Sequence, residues 1–239
     1  MEFLAVLLEP YKDWISTSAA AVTYLHQLSG VVVCNSIRKQ KSTNGFSVVP
    51  FLIGTVISLL VARFGLILND PTIVKVQLGG FALSIGYLCF FLWYTNNAKD
   101  RTSAWTKIGY AGALVAAIYA YTFVENPKNL KARYGLILTV LILCLIGSPL
   151  LRLGEIIRTK STAGLPFPMI CTGTLISFLW LLHGIVTRET FSTVLNVVIF
   201  SINVFQLSLF VIFPSKSTKS RKDGSPSKSG NDNDKKKKN

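Results

Sequence analysis

The sequence predicts an all-α integral membrane protein of seven transmembrane helices, arranged as two parallel three-helix bundles joined by a linker helix, a 3+1+3 plan. Three observations predict it. Half of the 239 residues are hydrophobic and only 15% are charged, a balance that soluble domains rarely show. Seven apolar stretches each reach the roughly 17 to 25 residues that a helical crossing needs. Sliding the chain by 119 residues, Lys41 onto Lys160, superimposes its first part on its second.

Residues 1–14 are a short extracellular or lumenal segment. Glu2, Glu9, Lys12 and Asp13 precede the first apolar run; a cleaved signal peptide would begin basic, so that run reads as a retained anchor. The first three-helix repeat (15–94) holds spans Ile15–Ser36, Ser47–Leu68 and Thr72–Tyr94, the last two separated by Asn69-Asp70-Pro71, a turn signal. Residues 95–133 supply the linker helix, Trp105–Phe123, and its flanking loops, including Glu125-Asn126-Pro127. The second repeat (134–213) holds Tyr134–Ile156, Leu165–Val186 and Phe191–Phe213, with Arg188-Glu189 between the last two. The tail, 214–239, carries nine Lys/Arg against three Asp, has no apolar periodicity, and is expected to be disordered and cytoplasmic.

Loop charge gives the direction, because Lys and Arg near span ends resist translocation. With the tail inside, that face holds Arg38, Lys39, Lys41, Lys99, Arg101, Arg158, Lys160 and the nine tail residues, against Lys12, Lys128, Lys131, Arg133 and Arg188 opposite. Seven crossings then put the N-terminus outside. The basic tail behind the net charge of +14 reads first as a solvated topology signal or sorting tag, with attraction to an anionic inner leaflet as the alternative. Basic residues confined to membrane loops and a tail argue against nucleic acid. Cys34, Cys89, Cys144 and Cys171 all lie in apolar runs without a CxxC or partner histidines, so neither metal nor disulfides are indicated. No nucleophile elbow, phosphate loop or paired catalytic carboxylates appear, and an enzyme is not expected.

The self-comparison is the most specific signal. Lys41-Ser42-Thr43-Asn44-Gly45 falls on Lys160-Ser161-Thr162-Ala163-Gly164, Gly54-Thr55 on Gly173-Thr174, and Ile57-Ser58 on Ile176-Ser177. At the same offset Gly65 meets Gly184, Asp70 meets Glu189, and Gln77 meets Asn196, while Ser29-Gly30 meets Ser148-Pro149. Equivalent helices lie four crossings apart, so both copies point the same way and are related by an axis along the membrane normal. A ligand site is expected where repeat meets repeat.

With these residues in place, the chain from Ile15 to Phe213 resembles the SWEET sugar facilitators, relatives of the PQ-loop proteins. The Lys-Ser-Thr-x-Gly-Phe connector before Pro50, the Ser148-Pro149-Leu150 step, Lys160-Ser161-Thr162 before Pro166-Phe167, and Trp180, Glu189 and Asn196 carry the resemblance. It implies passive, bidirectional transport of mono- or disaccharides such as glucose or sucrose, without a cofactor or ion coupling. It also implies a plasma-membrane or Golgi setting and leaves a homo-oligomer open.

A sugar offers hydroxyls and apolar C–H faces, so its site needs amide-type partners and an aromatic or apolar wall. The expected substrate-binding residues are Asn196, Gln77, Trp180 and Val61. Gln77 stands where many members carry Asn, and Val61 where some carry a small polar residue. The resemblance also implies hinges at four positions, filled here by Gly30, Pro50, Pro149 and Pro166, with Pro168 close by. Glycine at position 30 is expected to bend more softly than proline. Glu189 matches an acid of the outer gate whose aromatic partner on the second helix is here Phe64, which lacks a hydroxyl. Asp70, the repeat mate of Glu189, is a further gate candidate, although a loop acid usually stays solvated.

The spans carry no central Asp or Glu, so a proton-coupled mechanism would have to use His26 or His183; both are expected to serve as hydrogen-bonded bundle residues. Two other readings compete. An endomembrane PQ-loop amino-acid carrier would need charges in the central site. A seven-span receptor or scaffold working through the tail would need no duplicated unit.

Overall fold

The computed structural model describes residues 2–146 and 167–212. The chain is all-helical over these residues, and five of its helices are long and apolar enough to cross a membrane. After α1 (Glu2–Leu8) and a 3-10 turn (Glu9–Tyr11), the first repeat comprises α2 (Lys12–Gln27), α3 (Gly30–Gln40), α4 (Val49–Leu68) and α5 (Pro71–Trp93). The linker is α6 (Ala98–Val124). The second repeat comprises α7 (Pro127–Ile146), α8 (Phe167–Val186) and α9 (Thr190–Ile212). Pro149, Pro166, Glu155 and the whole tail lie outside the described residues.

Two features add to the sequence expectation. The N-terminal segment is helical, and α1 packs on α8. The first crossing is broken: α2 stops at Gln27 and α3 restarts at Gly30, through the short bonds Ser29 N to His26 O and Val31 N to Leu28 O. Apolar periodicity reports which face meets lipid, and it is blind to such a break.

The duplication is visible in the backbone. α5 and α9 begin at mate positions. The turns before them match bond for bond: Asn69 (φ 55) and Arg188 (φ 57) are left-handed, and the next N–H, of Asp70 or Glu189, reaches back 2.9 Å to the carbonyl of Gly65 or Gly184. This closes each helix with the six-to-one bond of a left-handed cap. Gly65 and Gly184 are fixed by packing, since a Cβ would lie 2.9 Å from Ile73 Cγ2 in one copy and 2.8 Å from Thr193 Oγ1 in the other.

Much of the core sits where the repeats meet. Val56, Leu60 and Phe64 of α4 pack with Tyr134, Leu138 and Ile142 of α7, and Ala19 of α2 packs with Ile73, Val76 and Trp180. A separate cluster inside the first repeat joins Ile37, Phe51, Leu88 and Phe91. Outward faces stay apolar, with Trp93 84% and Val211 85% exposed, as a chain solvated by lipid requires.

Candidate functional site

A cavity of about 600 Å³ opens between the repeats. Helices α2, α4 and α5 line it from the first repeat, and α7, α8 and α9 from the second. Its wall is itself duplicated: the mates Gln77 and Asn196, Val61 and Trp180, Ser58 and Ser177, and Ser84 and Asn203 all line it. An axis along the membrane normal places such mates at equal depth on opposite sides. All four sequence-predicted binding residues therefore share one cavity.

Their hydrogen bonds differ. Asn196 Nδ2 donates to the Ser192 carbonyl one turn back at 2.8 Å, which aims the amide and leaves its oxygen as an acceptor. The Trp180 indole N–H donates to Thr23 Oγ1 of α2 at 2.9 Å. Trp180 thus offers the cavity a ring face with its N–H already satisfied. Val61 packs against the same cluster as Trp180.

Both histidines bridge the repeats. His26 Nδ1 lies 3.0 Å from Thr172 Oγ1 of α8. His183, 2% exposed, sets Nε2 at 2.8 Å from Asp70 Oδ2 and Nδ1 at 3.0 Å from Ser16 Oγ. Asp70 Oδ1 caps α5 by accepting from Thr72 N and Ile73 N at 2.9 and 3.1 Å. Asp70 is therefore not the solvated loop acid the sequence suggested. Burial pushes its carboxyl upward, but the hydrogen bond and charge of His183 and the two backbone donors outweigh this and hold it below the ordinary carboxylate range.

The hinge and gate positions land variously. Gly30 begins α3 at the break in the first crossing, and the Gln27 carbonyl freed there accepts from Tyr87 Oη at 3.2 Å. Pro50 does not kink a helix, because it lies in the first turn of α4, where its missing N–H would have had no helical partner. Pro168 occupies the first turn of α8 in the same way. Phe64 is buried and stacks on Tyr134 at 6.0 Å between centroids. Glu189 pairs with Lys131 at 2.8 Å.

Comparison with known families now decides the kinship. The family described as "Sugar efflux transporter for intercellular exchange", MtN3, matches residues 13–99 and again 133–218, one copy for each repeat. The chain belongs to this MtN3/SWEET family. It is similar to "Sugar transporter SWEET1" of Drosophila pseudoobscura pseudoobscura, 28% identical over 86% of this chain and 91% of that one. It is likewise 28% identical to "Sugar transporter SWEET1" of Caenorhabditis elegans, over 87% of this chain and 68% of the other. A solved structure of a eukaryotic SWEET transporter superimposes with a TM-score of 0.77 at 21% identity, covering 87% of this chain and 98% of that one.

For a SWEET-family chain, sequence reasoning left several cavity groups unassigned. Gln27, Asn203 and Gln206 bring three further amides, and Thr23 a hydroxyl, to the wall. The signal for one was present: Ser84 and Asn203 are both polar at mate positions. Gln27 had no such mark, because its exposure to the cavity follows from the break after it.

Proposed function

We propose that this chain is a passive, bidirectional sugar carrier that alternates access by rocking one three-helix bundle against the other. The observation that carries the reading is the inter-repeat cavity, in which Gln77 and Asn196 stand at mate positions beside the Trp180 ring. Paired amides match sugar hydroxyls, and the indole face and Val61 match apolar C–H surfaces. Among the described residues the cavity wall carries no Asp, Glu, Lys or Arg, which disfavours an amino-acid carrier. The names of the relatives, sugar transporters, point the same way.

On this reading Gly30, Pro50, Pro149 and Pro166 are the hinges of the two repeats. Phe64 and Glu189 lie at the face of the N-terminus, which the loop charges put outside, with the tail in the cytoplasm. The working membrane is the cell surface, with the Golgi as the second candidate, and assembly into homo-oligomers fits the same reading. The test is counterflow of radiolabelled glucose and sucrose in liposomes bearing the purified chain, with no ion gradient imposed. The native chain exchanges sugar and Asn196→Ala loses exchange by tenfold or more, on the order of 1.4 kcal/mol. Accumulation of sugar driven by a proton gradient would overturn the passive mechanism.

A further inference from the structure

The repeat relates Phe64 of α4 to His183 of α8, and Glu189 to Asp70. Two symmetry-related pairs thus flank the same face of the cavity, and the structure uses them unequally. Phe64 has no polar group and stacks on Tyr134, while Glu189 turns away to Lys131. His183 and Asp70 meet at 2.8 Å. We propose that His183 and Asp70, completed by Ser16, form the gate of this chain at the face of its N-terminus, and that the proton on His183 sets how readily it opens. The proposal rests on the transport reading above.

The geometry ties the repeats together where they must part. Ser16 lies on α2 and Asp70 on the connector before α5, both in the first repeat; His183 lies in the last turn of α8, in the second. Asp70 is a fixed post, since its other oxygen holds the α5 N-terminus through Thr72 N and Ile73 N. Widening the cavity on this face therefore has to draw α8 away and break both contacts of the ring.

On this proposal the closed gate holds His183 with a proton on each ring nitrogen. Ser16 Oγ donates to the Lys12 carbonyl at 2.8 Å, so towards His183 Nδ1 it accepts. A carboxylate only accepts. Both ring nitrogens therefore carry protons, and the gate holds an imidazolium against Asp70. Loss of one proton removes the charge attraction and forces Ser16 to leave Lys12 or lose its bond to the ring. Opening thus becomes easier when rising pH removes that proton.

Charged groups on every surrounding element leave this assignment intact. Glu2 of α1, Glu9, Lys12 and Asp13 at the start of α2, Lys75 of α5 and Arg188 after α8 are all exposed, and Glu189 is engaged by Lys131. Only Asp70 bonds the ring among them. With His183 2% and Asp70 10% exposed, protons exchange once the gate has opened, and then on one face only. The proton returns to the side it came from, so the pair regulates an uncoupled carrier without driving it.

The experiment is glucose counterflow in liposomes bearing the full chain, at equal pH on both sides, scanned from about pH 5 to 8. Native exchange is expected to rise several-fold with pH. His183→Gln, which keeps one donor for Asp70, and Asp70→Asn, which keeps the α5 cap, should both give flat profiles. A second measurement is independent of transport. In a chain with its four cysteines changed to serine, Ile176→Cys reports access to the cavity by a membrane-impermeant thiol reagent, and adding His183→Gln should raise its labelling rate roughly tenfold. A flat native profile, a native-like slope in His183→Gln, or unchanged labelling would overturn the gate. Absence of sugar exchange at every pH would instead overturn the transport reading, while labelling would still decide the gate.

Discussion

Replacing Gly30 by alanine tests the hinge at the atom level. A Cβ at this position would meet the Tyr87 ring at 2.5, 2.8 and 2.9 Å from Cε2, Cδ2 and Cζ, inside any carbon contact. The ring has to retreat, and its hydroxyl then loses the Gln27 carbonyl, 3.2 Å away, which the break in the first crossing has deprived of a helical partner. Overpacking costs about 1–3 kcal/mol and the hydrogen bond about 1 kcal/mol, offset by about 0.5–1 kcal/mol from replacing glycine in a helix. The net expectation is a loss of roughly 1–3 kcal/mol in thermal unfolding of the detergent-solubilised chain. In a Tyr87→Ala background the space is open, so Gly30→Ala should there become neutral or stabilising. The same cavity should let Gly30→Pro fold in Tyr87→Ala and not in the native chain. An equal cost of Gly30→Ala in both backgrounds would refute the reasoning, because the penalty would then owe nothing to the ring.

Three further outcomes follow from single contacts. Trp180→Phe removes the donor to Thr23 and should cost about 1 kcal/mol in thermal unfolding, whereas Thr23→Val strands the buried indole N–H and should cost more. Tyr134→Phe deletes a hydroxyl that donates 2.9 Å to the Leu60 carbonyl from a fully buried ring, and a loss of about 0.5–1.5 kcal/mol in the same assay is expected. Asp70 is held below its ordinary value, so its stabilisation is fully present above the unfolded carboxylate range near pH 3.9 and fades as pH falls through the lower folded value. Unfolding temperature followed into acid should show this loss in the native chain and a shallower one in Asp70→Asn.

What the sequence made legible was whatever repeats or has a fixed length. The starts of α5 and α9 could be placed to within a residue because Asp70-Pro71 and Glu189 punctuate apolar runs whose lengths the bilayer dictates. Gln77 and Asn196 could be brought to one cavity because the offset aligned them, and Trp180 and Val61 because the family resemblance marked them. A bend at Gly30 follows from the resemblance, but apolar periodicity does not show the break before it, since lipid solvates both halves of a broken crossing alike. The resemblance marks Pro50 as a hinge position along the chain without showing its place within a helix; one turn further on it would break a backbone bond. The His183 and Asp70 contact spans 113 residues and involves two side chains that each have an ordinary local explanation. Only the repeat, applied to the pair formed by positions 64 and 189, points to it.

The two halves agree closely in backbone and disagree in side chains at the positions that face each other. The turns at Asn69 and Arg188 match in φ and in hydrogen bonds, yet Val61 faces Trp180, Ser84 faces Asn203, and Phe64 answers His183. Because the relating axis runs along the membrane normal, these differences leave the depth of each group unchanged and alter only the side of the path on which it stands. A symmetric wall would accept a bound molecule in two equivalent poses. Here one flank presents an indole face and the other a valine, with Gln77 and Asn196 reaching in by side chains of different length. A sugar ring is itself two-sided, with hydroxyl edges and C–H faces, so on the proposed reading such a wall selects one pose of the two. On that reading, duplication supplies the path and divergence at mate positions supplies the recognition.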